Sequence, residues 1–397
     1  MKIAILTSGI MPVPAVQGGA VENLVDFYLE YNDRHQIHDI TIYSAWAPNV
    51  KRHPALKSNV NHYKYIKTNS LFASIWKKLF RKKYEGGYYH YTIEYFCEQV
   101  IQDLRKYSYD IILIENRPAF GLKLKNSSIN SKIVYHIHNA MLDNTIDKAK
   151  EIYDAASRII CVSDYITQCV QAIRPNEQKC MTIHNGIDLG SFNYKATLPV
   201  SRKEYGFSTD DFILLFSGRL TSEKGIMHLI NALKILKDHP QIKLLILGST
   251  FYGNSCKSEF ADKLMQEIKK MQSRILFSGF VPYNRIPSFL AMVDLAVIPS
   301  FWDDPFPTTV LEAQAMGKPI ITTKRGGIPE EVSENNAIIL ETDENFIVHL
   351  AQSILELYSN PQKRNFMAEE SVKRAALFNK VDYAKNIFNA LENIDQK

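Results

Sequence analysis

The chain has 397 residues, of which 46% are hydrophobic and 22% charged. It is too long for one hydrophobic core, and this composition excludes disordered, collagen-like and low-complexity proteins. The net charge of +5 is too small to indicate nucleic acid binding. Five scattered cysteines, none in C-x-x-C spacing, argue against a disulfide scaffold or a zinc site and fit a reducing cytoplasm.

Short β-branched apolar runs recur along the chain, each followed by a longer stretch with helical spacing. Continuous apolar runs indicate strands buried on both faces, as in a parallel sheet covered by helices. In the first half these runs are Lys2–Thr7, Asp39–Ser44, Asp110–Ile114, Lys132–Ile137, Arg158–Val162 and Cys180–Ile183. In the second half they are Phe212–Ser217, Ile242–Gly248, Arg274–Ser278, Asp294–Pro299, Pro319–Thr323 and Ala337–Leu340. The alternation predicts two doubly wound α/β domains.

The predicted domains cover residues 1–190 and 191–380, because the segment Asp188–Ser208 carries turn and linker residues without a clear period. Residues 381–397 form a predicted helix that could pack on either domain, including back on the first. The first run, at the amino terminus, reads as a buried strand rather than a signal peptide.

Each half opens with a strand, a glycine-bearing turn and a helix. The turns contain Gly18 and Gly19 in the first half and Gly218 to Gly225 in the second. Ligands of open α/β sheets bind beyond the carboxyl ends of strands, where helix amino termini offer free N–H groups. These loops therefore predict ligand sites, although glycines at such turns can also serve only to relieve backbone strain.

The segment Ile298–Glu331 carries two acids, Asp304 before a predicted helix and Glu312 within it, separated by seven residues. Two carboxylates could grip the ends of a polyhydroxylated ligand, and the helix amino terminus between them would attract a phosphate. The alternative is a solvated capping Asp and a surface Glu.

The chain resembles the retaining nucleotide-sugar glycosyltransferases of the GT-B fold, specifically glycosyltransferase family four. The resemblance covers nearly the whole chain and is carried by motifs in the family's order: HNGID, SGRLTSEKG, FSGFVPYNRIPSFLAMVDLAVIPS, DPFPTTVLEAQAMGKPIIT and GGIPE. It implies two Rossmann-like domains facing across an interdomain cleft, the first binding the acceptor and the second the nucleotide sugar.

The resemblance assigns the parts of the donor to four charged side chains. Arg219 and Lys224 match the family's pyrophosphate-binding pair, which would neutralise the leaving group without a divalent ion. Glu312 matches the acid that grips the ribose. Asp304 stands where the family usually has Glu, contacting the transferred sugar with a side chain one methylene shorter. No metal or other cofactor is expected.

Backbone groups complete the donor site that the resemblance implies. Pro307 replaces the glycine of many relatives and has no N–H to give, so the amides of Phe306, Thr308 and Thr309 are the candidate phosphate donors. Val281 matches the position whose backbone meets the base.

In the first half, Gly18 and Gly19 match a family loop that approaches the donor phosphate or the acceptor. His138 matches the active-site histidine near the sugar. His136 competes with it, but the two share a strand face, and only the one beyond the strand end would reach the cleft.

The implied reaction moves a hexose-type sugar, with retention of configuration, from a nucleoside diphosphate, expected to be UDP. The acceptor would be a glycan or a lipid-linked oligosaccharide in surface polysaccharide biosynthesis. The alternative function is a catalytically silent sugar-binding subunit of another transferase, and a third possibility is an epimerase or a phosphorylase of the same fold.

Residues 51–84 hold ten basic and no acidic residues. Within them, LFASIWKKLFRKKY puts Trp76 and Phe80 on one helical face and Lys77, Lys78 and Arg81 on the other. This pattern is typical of a helix in a membrane interface and fits a lipid-linked acceptor at the inner leaflet. A helix whose apolar face packs into the domain is the alternative. The expected location is cytoplasmic, with peripheral membrane binding if the first interpretation holds.

Overall fold

The computed structural model describes residues 1–68, 70, 73, 75, 91–248 and 259–394. They form two compact units: Met1–Gly186 together with the segment from Lys380 onward, called unit 1, and Ile187–Asn379, called unit 2. The two ends of unit 2 meet, because the Ile187 N–H donates to the Phe378 carbonyl at 2.7 Å.

In unit 1, the described strands form one seven-stranded parallel sheet in the order β3-β2-β1-β4-β5-β6-β7. The strands are β1 Lys2–Leu6, β2 Asp39–Ala45, β3 Asn61–Ile66, β4 Ile111–Glu115, β5 Lys132–Ile137, β6 Arg158–Cys161 and β7 Cys180–Thr182. The described α-helices are α1 Ala20–His35, α2 Tyr91–Leu104, α3 Ala119–Lys125, α4 Ala149–Ala155, α5 Asp164–Gln171 and the last of the chain, α13 Lys380–Glu392.

In unit 2, the described strands form a six-stranded parallel sheet in the order β10-β9-β8-β11-β12-β13. The strands are β8 Phe212–Ser217, β9 Ile242–Leu247, β10 Ile275–Gly279, β11 Leu295–Ile298, β12 Ile320–Thr323 and β13 Ala337–Leu340. The described α-helices are α6 Ile226–Ile235, α7 Glu259–Lys270, α8 Ile286–Met292, α9 Thr308–Ala315, α10 Ile328–Glu331, α11 Phe346–Ser359 and α12 Pro361–Ala375.

Both sheets confirm the predicted doubly wound α/β class. In each sheet the chain order reverses between two neighbouring strands, β1 and β4 in unit 1 and β8 and β11 in unit 2. Ligands of such sheets bind beyond the carboxyl ends of the strands at this switch point. Every candidate site residue within the described part of the chain can be located relative to these two edges.

Strand β3 has no counterpart among the predicted strands. Its sequence, NHYKYI, alternates polar and apolar residues and is mostly half-buried, as expected at the edge of a sheet. It lies inside the basic segment, where Lys64 pairs with Asp103 at 2.5 Å. A search for continuous apolar runs therefore passes over it.

Helix α13 packs against α1 in the core of unit 1. Its buried side chains include Tyr383, Ile387 and Phe388, and the Tyr28 ring of α1 meets the Phe388 ring edge-on at 6.0 Å. The helix at the end of the chain thus covers part of the first sheet.

The proposed membrane and acceptor residues Trp76, Lys77, Lys78, Phe80 and Arg81 lie outside the described residues. In the described part of the chain, no helix has both the length and the apolar character needed to cross a membrane.

Candidate active site

Four of the predicted donor-binding side chains belong to the switch-point edge of unit 2. Arg219 and Lys224 follow strand β8, and Asp304 lies in the loop after β11. Glu312 lies in α9, the helix that this loop leads into. Because β8 and β11 are neighbouring parallel strands, both loops leave the sheet at the same edge.

Lys224 and Asp304 form a direct ion pair between the ammonium and one carboxylate oxygen. Their side chains are 20% and 9% exposed, so the pair is largely shielded from water. The resemblance implies different partners for these residues, the diphosphate for Lys224 and the sugar for Asp304, and the contact between them has no signal in the sequence. An ammonium has three donors, so Lys224 can keep Asp304 and still donate to a phosphate oxygen.

Backbone hydrogen bonds fix the two loops to each other. The N–H groups of Phe301 and Trp302 both donate to the Glu223 carbonyl, at 2.7 and 3.1 Å. The Asp304 N–H in turn donates to the Trp302 carbonyl at 2.8 Å. The residue before Lys224 thereby holds the segment that carries Asp304.

Two glycines allow this close approach. Gly225 has φ +73°, and a Cβ there would lie 1.8 Å from the Pro299 carbonyl oxygen. Gly326, in the GGIPE motif, has φ +55°, and a Cβ there would lie 2.3 Å from the Asp304 carbonyl oxygen. Only glycine combines a positive φ with that space, so these motif glycines shape the acidic loop.

Arg219 is the accessible cation of the group. Its side chain is 51% exposed, and its guanidinium lies 3.6 Å from the Glu223 carboxylate. An exposed i,i+4 pair of this kind is weak, so the guanidinium is free to exchange Glu223 for a phosphate.

Glu312 is buried within α9, and Asp304 is buried as well, so the alternative of a solvated capping Asp and a surface Glu is wrong. Burial raises the pKa of Glu312 to about 8, against the lowering effect of a hydrogen bond from Thr308. The side chain lines a small cavity with two other polar residues, Ser217 and Thr309, and with apolar residues of the sheet and helices. At pH 7 the Glu312 side chain is therefore a neutral acid in a small, mostly apolar cavity.

Three of the remaining predicted donor contacts lie at the start of α9, and the fourth follows β10. The helix begins at Thr308, so the amides of Thr308 and Thr309 lie in its first turn, where a helix leaves its N–H groups without intrahelical acceptors. Phe306 is buried, with its ring 5.5 Å from that of Phe378. Val281 is half-buried in the loop after β10.

Glu331 was not singled out by sequence reasoning, although it ends the GGIPEE sequence. It is fully buried, and neither carboxylate oxygen has a hydrogen-bond partner among the described residues. Burial and the nearby negative charge of Asp304 raise its pKa well above the usual range. Burial therefore favours the neutral form of Glu331, which lies within electrostatic reach of the Lys224–Asp304 pair.

In unit 1 the predicted residues lie directly before α1 and directly after β5. Gly18 and Gly19 both have positive φ, 80° and 106°, immediately before α1. His138 lies one residue beyond β5, whereas His136 lies within it and is fully buried. Both imidazoles contact Glu115, the last residue of β4, which sequence reasoning missed.

Glu115, His136 and His138 also place their ligand atoms within 4.8 Å of one another, so this group of unit 1 could hold a metal ion. Hydrogen bonds already connect the same atoms. Nothing in their geometry requires an ion.

Comparisons with known proteins identify the family. Residues 34–191 match the family model described as glycosyltransferase family 4, and residues 199–374 match glycosyl transferases group 1. The chain is also 29% identical to the putative glycosyltransferase YtcC of Bacillus subtilis, over 99% of this chain and 92% of that protein. The chain belongs to glycosyltransferase family four.

A solved structure shows that this glycosyltransferase has the GT-B fold. Anabaena Alr3699/HepE in complex with UDP and glucose superposes with a TM-score of 0.75 at 22% identity, covering 99% of this chain and 100% of that one. A third relative, from Escherichia coli, is named UDP-Gal:alpha-D-GlcNAc-diphosphoundecaprenol alpha-1,3-galactosyltransferase. It is 25% identical over 55% of this chain and 56% of that protein.

Proposed function

We propose that this glycosyltransferase moves a hexose-type sugar from a UDP-sugar to a glycan or lipid-linked oligosaccharide acceptor with retention of configuration, in surface polysaccharide biosynthesis. One observation carries the proposal: Lys224 and Asp304 form a shielded ion pair between the β8 and β11 loops of unit 2. Arg219 lies at the same edge of the sheet, and its side chain is half-exposed. Glu312 is buried in α9, the helix after the β11 loop.

In the proposed reaction these side chains bind and orient the donor. Arg219 and Lys224 hold the diphosphate and offset the negative charge that develops as the bond between the sugar C1 and the phosphate oxygen breaks. Asp304 accepts hydrogen bonds from hydroxyls of the sugar, and Glu312 binds the ribose. The acceptor oxygen bonds to C1 from the leaving-group side, and a β-phosphate oxygen takes its proton.

The choice of substrates draws on the relatives. UDP is bound in the Anabaena structure, and the name of the Escherichia coli relative gives UDP-Gal as donor and a lipid diphosphate sugar as acceptor. The cationic pair Arg219 and Lys224 suits the diphosphate of UDP and of UDP-Gal alike. The proposed reaction uses no metal.

The donor is tested by thermal shift with a panel of UDP-, GDP- and ADP-sugars, followed by nucleotide release with and without acceptor. A ligand at 100 times its Kd adds about 2.7 kcal/mol to the free energy of unfolding. Binding without nucleotide release across the panel would instead favour a silent sugar-binding subunit.

We predict that Lys224→Ala and Glu312→Ala each weaken binding of the best donor about tenfold to a hundredfold, because each removes a hydrogen bond that involves a charged or strongly polar group. Binding is measured by calorimetry. Lys363→Ala and Glu356→Ala are matched controls, since these residues form an exposed ion pair at 2.7 Å between helices α12 and α11. Unchanged affinity in both site variants would refute the assignment.

The proposal includes peripheral membrane binding through residues 51–84. Co-sedimentation with liposomes that contain anionic lipid tests it, with Trp76 and Phe80 both replaced by Ser. Binding that the two replacements leave unchanged would count against the membrane helix.

A further inference from the structure

Three side chains of unit 1 converge on one buried carboxylate, that of Glu115. The Tyr28 hydroxyl donates to its Oε1 at 2.8 Å. Its Oε2 lies 2.8 Å from Nε2 of His138 and 3.1 Å from Nδ1 of His136. Glu115 and His136 are fully buried, and His138 reaches the edge of the sheet.

The contacts favour the ionised form of Glu115. Burial alone would raise the pKa of Glu115, but the neighbouring imidazoles of His136 and His138 hold it well below its usual range. A carboxylate only accepts hydrogen bonds. Each imidazole nitrogen that faces it must therefore carry the hydrogen.

His138 then has one nitrogen left for a ligand. Burial and the neighbouring His136 lower the pKa of His138 to about 4, so the imidazole is neutral at pH 7 and has a single N–H. That hydrogen is on Nε2, toward Glu115, which leaves a lone pair on Nδ1. The backbone of His138 is held as well, because its N–H donates to Asn116 Oδ1 at 3.1 Å.

We propose that Glu115 is a positioning residue that fixes His138 as the Nε2–H tautomer, so that Nδ1 accepts a hydrogen bond from a sugar hydroxyl of the substrate. The inference rests on the proposed function and on the resemblance, which implies that His138 lies near the sugar. His136 and Tyr28 hold the carboxylate from its other sides, which keeps the imidazole from rotating.

The first test is the tautomer itself in the full-length protein. Long-range proton–nitrogen NMR of the histidine-labelled chain at pH 7 distinguishes protonated from unprotonated ring nitrogens, and His138 is assigned as the signals lost in His138→Gln. We expect a protonated Nε2 and an unprotonated Nδ1. An Nδ1–H tautomer, a doubly protonated ring, or metal-bound shifts that a chelator abolishes would each overturn the proposal.

The second test is Glu115→Gln, which leaves one acceptor oxygen for three donors. We expect the His138 tautomer to change and kcat to fall at least about tenfold, as for a catalytic imidazole held in the wrong tautomer, with a smaller change in the KM for donor. The control is Glu392→Gln, because Glu392 pairs with another buried histidine, His38, at 3.1 Å. A kcat within about twofold of the wild type would overturn the proposal.

The two proposals fail separately. If Glu115→Gln keeps full activity while Glu312→Ala loses donor binding, the positioning role fails and the proposed function stands. If no donor is turned over, or if the variant does not fold, the wild-type tautomer still decides the role of Glu115.

Discussion

At the scale of single residues, the candidate site depends on acids whose charge is set by burial. Glu312 and Glu331 of unit 2 both have a raised pKa, whereas Asp304 has a lysine partner. The free protein therefore holds Glu312 as a neutral acid near pH 7, and burial favours the neutral form of Glu331 as well. A diphosphate that enters this edge meets less negative charge than the sequence implies.

We predict that donor binding releases a proton from Glu312 if this residue grips the ribose as a carboxylate. The carboxyl is protonated in the free protein below about pH 8, so affinity for a UDP-sugar should rise from pH 6 to 8, by at most about tenfold per pH unit. Calorimetry in buffers of different ionisation enthalpy measures the proton released.

The control for that experiment is Glu312→Gln, in which the pH dependence should vanish. Glu341→Gln, at an exposed position, should keep it. A wild-type affinity that stays constant over this range would contradict the predicted carboxylate.

The sequence allowed the site acids and cations to be assigned to strand ends, because glycine turns and helix starts have local signals. The contacts that these side chains make with each other had no local signal in the sequence. Lys224 and Asp304 are eighty residues apart in the chain. Glu115 reads as part of the apolar run IILIE, so only the pairing of β4 with β5 reveals its contact with two histidines.

At the scale of elements, the strand pattern was predictable wherever both faces of a strand are buried. The strands at the centres of the two sheets are continuous apolar runs, and all of them were predicted. Strand β3 was missed because its sequence alternates and its polar residues merge with the basic segment around it. The other edge strands, β7, β10 and β13, are also partly exposed, but they carry short apolar runs and were predicted. A continuous apolar run, rather than a position in the sheet, is the signal that the sequence carries.

We predict that Gly225→Ala destabilises the protein by more than the about 1–2 kcal/mol expected for a left-handed residue alone. The added Cβ would lie 1.8 Å from a backbone oxygen, which cannot move without displacing the loop after β11. The free energy of unfolding is measured with urea.

Gly206→Ala is the matched control, since Gly206 has φ +75° and no atom within 4 Å of an added Cβ. Equal losses in the two variants would mean that the contact with Pro299 is unimportant. Donor affinity should fall only in Gly225→Ala, because only that loop carries Lys224.

At the scale of the whole molecule, the chain builds one doubly wound unit, then a second, and returns to the first with α13. The sequence indicated the repeated strand-helix alternation. The sequence did not indicate which unit the last helix packs against. Apolar residues at three-to-four spacing identify the buried face of a helix but not the surface that covers it.

We predict that Ile387→Ala lowers the free energy of unfolding of unit 1 by about 2–5 kcal/mol, because Ile387 is fully buried in the core under α1. Hydrogen exchange of the amides in β1 and α1 measures the loss. Lys385→Ala, exposed on the same helix, should have little effect. Equal exchange in both variants would show that α13 adds nothing to this core.

The hydrogen bond between Ile187 and Phe378 has a consequence for engineering. Because the two ends of the 187–379 segment are adjacent, a homologous segment that replaces it would be joined to the chain at two neighbouring points. Homologous segments from other sugar transferases could be exchanged there, and the nucleotide preference of the hybrid enzymes would show whether unit 2 selects the donor, as proposed.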